Sequence, residues 1–281
     1  MRLALLTLVT MIAFAANSVL NRLGVGGGQI GAAEFAGVRL LSGAAMLLAL
    51  VGLRAALRGG AIWPGRRGRL AGSLSLLAYL FGFSWAYSVL PAGAGALILF
   101  GMVQITMFAA AVLSGEAVPG RRWTGAGLAF GGLCLLLAPG GAGLSLPHAA
   151  AMAAAGVGWG LYSVSGRGQA DALGASAWNF ALALPLGLGL SMTGASGPVV
   201  APAGLWLAVL SGAVTSGLGY ALWYRILPAL GASRAAVAQL TVPLLAALGG
   251  ILLLHEPLTL RFVLAAALVL GGVALAVLTP R

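Results

Sequence analysis

Charge is what this chain has least of. Charged residues make up 7% of its 281 positions, as four acids (Glu34, Glu116, Asp171 and Glu256) against fifteen bases, and every base is arginine. An ordinary globular domain is about a quarter charged, so a water-facing surface cannot be built from this composition. Cysteine occurs once, at Cys134, which excludes a disulfide scaffold. The histidines are His148 and His255 alone. There is no H-E-x-x-H, no C-x-x-C and no aspartate pair inside an apolar run, so neither enzyme chemistry nor a metal site finds its residues here. Close-set glycines such as Gly24-x-Gly26 and Gly217-x-Gly219 lack the strand–turn–helix setting of a dinucleotide site and read as packing positions. No cofactor is expected. What is present is apolar: 61% hydrophobic residues and 45 glycines. Runs such as 40–53 do not alternate as barrel strands would. The class is an all-α membrane protein, with small residues letting helices approach closely.

A membrane-crossing helix needs about 20 residues. Cutting at charges, prolines and glycine-rich breaks predicts ten transmembrane helices, at 3–22, 32–53, 70–89, 93–113, 123–139, 147–166, 174–192, 203–224, 232–253 and 259–278. The first could pass for a leader, with Arg2 and Ala13-Phe14-Ala15, but Asn17 to Leu23 continue its helix, so it is expected to stay. The arginines set the orientation. With the N-terminus inside, Arg2, Arg54, Arg58, Arg66, Arg67, Arg69, Arg121, Arg122, Arg167, Arg225, Arg234 and Arg281 are cytoplasmic, and Arg22, Arg39 and Arg261 lie toward the outside. Loops 140–146 and 193–202 carry no charge. Both termini are thus expected in the cytoplasm, in a multi-pass protein of the bacterial inner membrane. Arginines at span ends do not form a nucleic-acid surface; the expected partners are membrane lipid and a small solute.

The two halves repeat each other. Phe83 to Pro91 resembles Tyr220 to Pro228, and Ser114-Gly115-Glu116-Ala117-Val118 resembles Leu254-His255-Glu256-Pro257-Leu258. Gly131-Gly132 and Gly271-Gly272 follow in corresponding places, and Asn17–Arg22 parallels Tyr162–Arg167. Residues 1–142 and 143–281 are therefore read as two five-helix units within one bundle. Five is odd, so the second unit is inverted, an arrangement used for alternating access around a midplane site. The doubled unit, Phe35…Arg39 opening the second span, Tyr-x-x-Leu-Pro closing the third and eighth, and Leu-x-Glu-Pro-Leu-Thr at 254–259 resemble the EamA-type branch of the drug/metabolite transporter superfamily. Overall likeness is greatest to its bacterial aromatic amino acid exporters. The resemblance implies a ten-helix exporter, with its site between the halves on spans 1, 3, 4, 6, 8 and 9.

The four acids fall at or beyond span ends, and buried carboxylates are what proton relays usually employ. This favours uniport over proton-coupled antiport, and disfavours a drug or cation exporter. Arg39 lies a few residues into its span. It is expected to snorkel to the interface along its stem, with a buried anion-binding role as the alternative. One such cation is too few for phosphorylated substrates.

Recognition is left to neutral polar and aromatic side chains. The candidate cavity lining is Asn17 and Asn21 in span 1, and Ser75, Tyr79 and Phe83 at four-residue spacing in span 3. Phe100 and Gln104 follow in span 4, Trp159 and Tyr162 in span 6, Ser216 and Tyr220 in span 8, and Gln239 in span 9. A bare amide in hydrocarbon costs several kcal/mol, on the order of 4–8 by water-to-cyclohexane transfer, so Asn17, Gln104 and Gln239 face protein or a wet cavity. Helix–helix hydrogen bonding would satisfy them equally well. Trp85, Tyr87, Trp223 and Tyr224 are read as interfacial-belt aromatics. Pro91 and Pro228, in turns closing spans 3 and 8, and Pro243, interrupting span 9, are candidate hinges. The set suits a neutral or zwitterionic solute with an apolar or aromatic side chain, in a protein expected to work as a monomer. A non-selective channel or scaffold is the reading from another class.

Overall fold

The computed structural model describes residues 2–60, 62–115, 119–138, 144–166, 169–193 and 200–277, with the backbone alone at Thr193, 231–234, 236 and 277. Glu116, Arg167, Arg281 and most of the two charge-free loops lie outside the described residues. Among those described, the regular structure is entirely helical. The helices are α1 (Arg2–Asn21), α2 (Ala32–Arg58), α3 (Arg69–Ala86), α4 (Ala92–Leu113), α5 (Gly120–Leu137), α6 (Leu146–Ser165), α7 (Ala172–Thr193), α8 (Pro202–Val209), α9 (Gly219–Gln239), α10 (Thr241–Leu254) and α11 (Leu260–Val277). A π-helical turn, Arg22–Gly26, extends α1, and a longer π-helical stretch, Leu210–Leu218, fuses α8 to α9.

Among the described residues, six segments are long and apolar enough to cross a membrane: Arg2–Gly26, Ala32–Arg58, Ala92–Leu113, Ala172–Met192, Pro202–Leu230 and Val237–Leu254. Leu260–Ala276 is a shorter apolar helix. Helices α3, α5 and α6 occupy the remaining predicted spans but carry more glycine, arginine or hydroxyl residues. The outside of the bundle is greasy, with Leu8, Leu41, Leu70, Phe130, Leu186, Trp206 and Leu252 all exposed. A surface of that kind belongs in lipid. The protein is an all-helical, multi-pass membrane protein.

Proline placement explains several helix starts. Pro91 and Pro119 stand at N-caps, and Pro147 and Pro202 lie within first turns, where a missing N–H costs nothing. Pro228 departs from expectation. It does not close a span in a turn but lies inside α9, with its side chain exposed, and the helical ladder passes it to Gln239. The interruption comes instead at Leu240, and Pro243 is the third residue of α10. There its ring sits in the first turn, so it removes no needed donor.

Packing pairs respect the two halves. Helix α2 packs on α7, α4 on α10 and α5 on α11. Further pairs match when the halves are exchanged: α3 on α6 with α9 on α1, α4 on α6 with α10 on α1, and α3 on α7 with α8 on α2. Glycine lets two of these approaches happen. A Cβ on Gly158 of α6 would stand 2.8 Å from the Ser75 carbonyl oxygen of α3. One on Gly212, in the π-helical stretch, would strike the Arg39 carbonyl and the Ser42 hydroxyl of α2. Such contacts are how helices associate where lipid offers no hydrophobic drive.

Candidate functional site

Six of the predicted lining residues meet at one place. Asn17, Tyr79, Phe83, Phe100, Trp159 and Tyr220 surround a cavity of about 20 Å³, together with Phe14, Ser18 and Leu99. Helices α1, α3 and α4 of the first half and α6 and α9 of the second supply the wall, and every lining residue is buried. That volume holds about one water, far below the roughly 300–1,000 Å³ of ligand pockets. A solute could be held there only if the helices parted.

The wall is an aromatic cage. The Trp159 ring lies 4.9 Å from Tyr79 and 5.1 Å from Tyr220, and it stacks on Tyr162 at 5.3 Å and 17°. Phe83 follows Tyr79 at 5.3 Å, one helical turn along α3. Phe14 meets the edge of Tyr220 at 5.9 Å. These ring pairs give large apolar area with defined directions of approach. Polar groups enter at one side. The Asn17 side-chain oxygen accepts from the Ser211 hydroxyl at 2.8 Å and from Thr215, both in the π-helical stretch. Asn17 therefore both borders the cavity and ties α1 to the opposite half. A π-helical insertion widens the backbone and turns successive side chains, a feature frequent at functional sites.

The other candidates lie elsewhere. Asn21 donates to the Asn17 carbonyl at 3.1 Å and accepts from Ser84 at 2.8 Å, acting as helix–helix glue. Tyr162 stands behind Trp159, its hydroxyl 2.7 Å from Ser176. Ser216 is buried against Arg39, Ser75 lies where α6 crosses α3, and Gln104 and Gln239 are half-buried away from the cavity.

Arg39 does not snorkel. It is fully buried, with Nη2 donating to the Tyr79 hydroxyl at 2.7 Å and Nε to the Ser216 hydroxyl at 3.1 Å. Its Cζ sits 5.1 Å from the Tyr79 ring centroid and 5.0 Å from that of Phe83. These attractions inward outweigh the reach to the interface. Two belt aromatics are also drawn in: Tyr87 is fully buried and donates to the Ala92 carbonyl at 3.1 Å, and Trp223 packs on Phe14 at 5.8 Å. Tyr224 is half-buried and accepts from Ser176 at 3.1 Å. Trp85 remains exposed, its ring 4.9 Å from His148.

The glutamate of the Leu-x-Glu-Pro-Leu-Thr element also has a role its position at a span end did not suggest. His255 caps α10 in the left-handed region, at φ 54°, and turns the chain back. Glu256 then accepts from the Ala92 N–H at 2.8 Å and from Arg22 Nε at 3.2 Å. Arg22 Nη1 also donates to the Tyr87 and Ser88 carbonyls. One carboxylate thus joins α1, α3, α4 and α10.

A buried, aromatic-lined cavity between two helical halves of a multi-pass membrane protein defines a small-molecule transporter. The model of the EamA-like transporter family matches residues 147–278. An uncharacterized protein of Pseudomonas aeruginosa is 46% identical over 280 residues, covering 100% of this chain and 96% of its own length. The uncharacterized transporter YoaV of Bacillus subtilis is 33% identical over 69 residues, 25% of this chain and 24% of the relative. An uncharacterized transporter of Archaeoglobus fulgidus is 44% identical over 69 residues, 25% of each chain. A solved crystal structure shares the fold with a TM-score of 0.63 at 22% identity, covering 96% of both chains. This chain belongs to the EamA-like transporter family.

Proposed function

We propose that this transporter exports amino acids, aromatic ones foremost, and related small metabolites across the bacterial inner membrane. It works as a monomer, by alternating access and as a uniporter. In this reading ten helices cross the membrane, residues 1–142 and 143–281 form inverted repeats, and both termini are cytoplasmic. The exchange symmetry of the helix pairs supports the repeat, and the arginine distribution supports the orientation.

The observation that carries the substrate class is the cavity wall. Six aromatic side chains and one amide converge on it, and none of the described residues that line it is acidic. Aromatic faces suit an apolar or aromatic side chain, and a wall without a carboxylate lacks the usual proton-coupling group. Counterflow of labelled phenylalanine in proteoliposomes tests this. Saturable exchange, competed by tyrosine and tryptophan and insensitive to a proton gradient, is expected. Trp159→Phe keeps a ring but shrinks it, and should raise the KM for aromatic substrates about tenfold, as for loss of roughly 1.4 kcal/mol of binding. Non-saturable flux would favour a channel, and strict dependence on a proton gradient would rule out uniport.

A further inference from the structure

Among the described residues, no acid pairs with the guanidinium of Arg39. Its Nε and Nη2 are engaged by neutral hydroxyls, and its Nη1 is buried without a partner. Of the described acids, Asp171 is held by Arg54 and Glu256 by Arg22, while Glu34 sits in the first turn of α2 against Gly31. Across the same wall, the Tyr220 hydroxyl is also buried and unpartnered. Arg39 sits directly behind the cavity wall rather than in it. Tyr79 and Phe83, which hold the guanidinium by their faces, line the cavity together with Tyr220. Tyr220 lies about one helical turn beyond Ser216, the residue whose hydroxyl accepts from Arg39 Nε at 3.1 Å.

Leaving a buried donor unmade is costly, and more so for a charged one. An acceptor-only anion that bridges both groups would remove both penalties at once. The Tyr79 and Ser216 hydroxyls hold the guanidinium in place, so its remaining N–H groups are preorganised for that anion.

We infer that Arg39 and Tyr220 form a carboxylate-binding subsite. The carboxylate of the transported solute accepts from Arg39 Nη1 and from the Tyr220 hydroxyl, and the solute's side chain lies among the rings of Phe83, Phe100 and Trp159. The inference rests on the amino acid reading above and adds which end of the substrate is recognised and by what. A single guanidinium matches a monocarboxylate; a phosphate dianion would leave charge uncompensated. Tyr79 and Ser216 are positioning residues, acting through Arg39.

The experiment uses the full-length protein in proteoliposomes exchanging labelled phenylalanine, with three competitors of one shape. Phenylalanine has both charged ends, 3-phenylpropionate the carboxylate alone, and phenylalanine amide the ammonium alone. Phenylalanine and 3-phenylpropionate are expected to compete at similar concentrations and the amide at least about tenfold more weakly. Tyr220→Phe, which keeps the ring, should narrow that preference severalfold. Arg39→Gln should abolish it, and Arg39→Lys should restore part of it. Because Arg39→Gln can fail to fold, Tyr220→Phe and the competitor series on the unaltered protein stand without it. Equal competition by the amide, or an acid-over-amide preference unchanged in Tyr220→Phe, overturns the subsite and leaves amino acid transport standing. Absence of saturable exchange for all three overturns both.

Discussion

Arg54 grips Asp171 with two charge-assisted hydrogen bonds, Nη1 to Oδ1 at 2.7 Å and Nη2 to Oδ2 at 2.6 Å. Asp171 precedes α7, and its side chain accepts from the Gly174 N–H at 2.9 Å, the geometry of an N-cap. Chiefly through the Arg54 hydrogen bonds, its carboxyl is held below the usual range, against a smaller opposing effect of burial. The depressed value means that the unfolded chain binds the proton more readily. This pair therefore stabilises the fold fully above the ordinary carboxyl pKa of about 3.9, and the contribution fades as pH falls through the lower folded value. Both side chains are partly exposed, so the effect is small, about 1 kcal/mol after screening. Asp171→Asn keeps the cap and loses the charge. In thermal unfolding in detergent, the variant should lose stability near neutral pH and lack this component of the decline as pH falls from about 3.9 through the lower folded value. An unchanged acid profile would count against the pair.

At the scale of elements, the turn after α10 joins a strained backbone to a shared carboxylate. Non-glycine residues rarely occupy the left-handed region, although histidine is among the more tolerant. His255 holds it because Glu256 is thereby aimed at Arg22 and at the first N–H of α4. Glu256→Ala should orphan that N–H and free the guanidinium, costing about 2 kcal/mol in a denaturant titration. Glu256→Gln, still an acceptor, should recover part of the loss. Equal losses in the two variants would mean that charge, not acceptance by Glu256, holds the turn.

Elements were also where the sequence was most readable. Long apolar runs and arginines at their ends place the helices, because lipid demands both. Less readable was the continuation of α9 past Pro228, since an exposed proline on a helix is tolerated when its neighbours re-satisfy the backbone. The π-helical stretch at Leu210–Leu218 leaves no mark in hydropathy either. Of the site, the aromatic cage was legible from four-residue spacing, as with Tyr79 and Phe83. The fate of Arg39 was not. Its partners Tyr79 and Ser216 lie 40 and 177 positions away, and no local pattern announces them.

Taken as a whole molecule, both ion pairs among the described residues tie the first half to the second, one at each end of the bundle. Arg22–Glu256 lies where α1 ends and Arg54–Asp171 where α2 ends and α7 begins. Between them is a cavity too small for any amino acid. In the proposed alternating access this closure at both ends, with the site in the middle, is the intermediate, and each pair would break in turn for solute to enter and leave. Cys134 is the chain's sole cysteine and can be replaced by serine, which opens a direct test. In that background, cysteines at positions 22 and 256 are bridged by a bifunctional maleimide long enough to replace the two side chains. Bridging should arrest phenylalanine exchange almost completely, whereas either single-cysteine variant treated alike should retain it. A bridge across 54 and 171 should do the same from the opposite end. Exchange that persists through both bridges would require a path that never opens between the halves, and rocking around a central site would then be excluded.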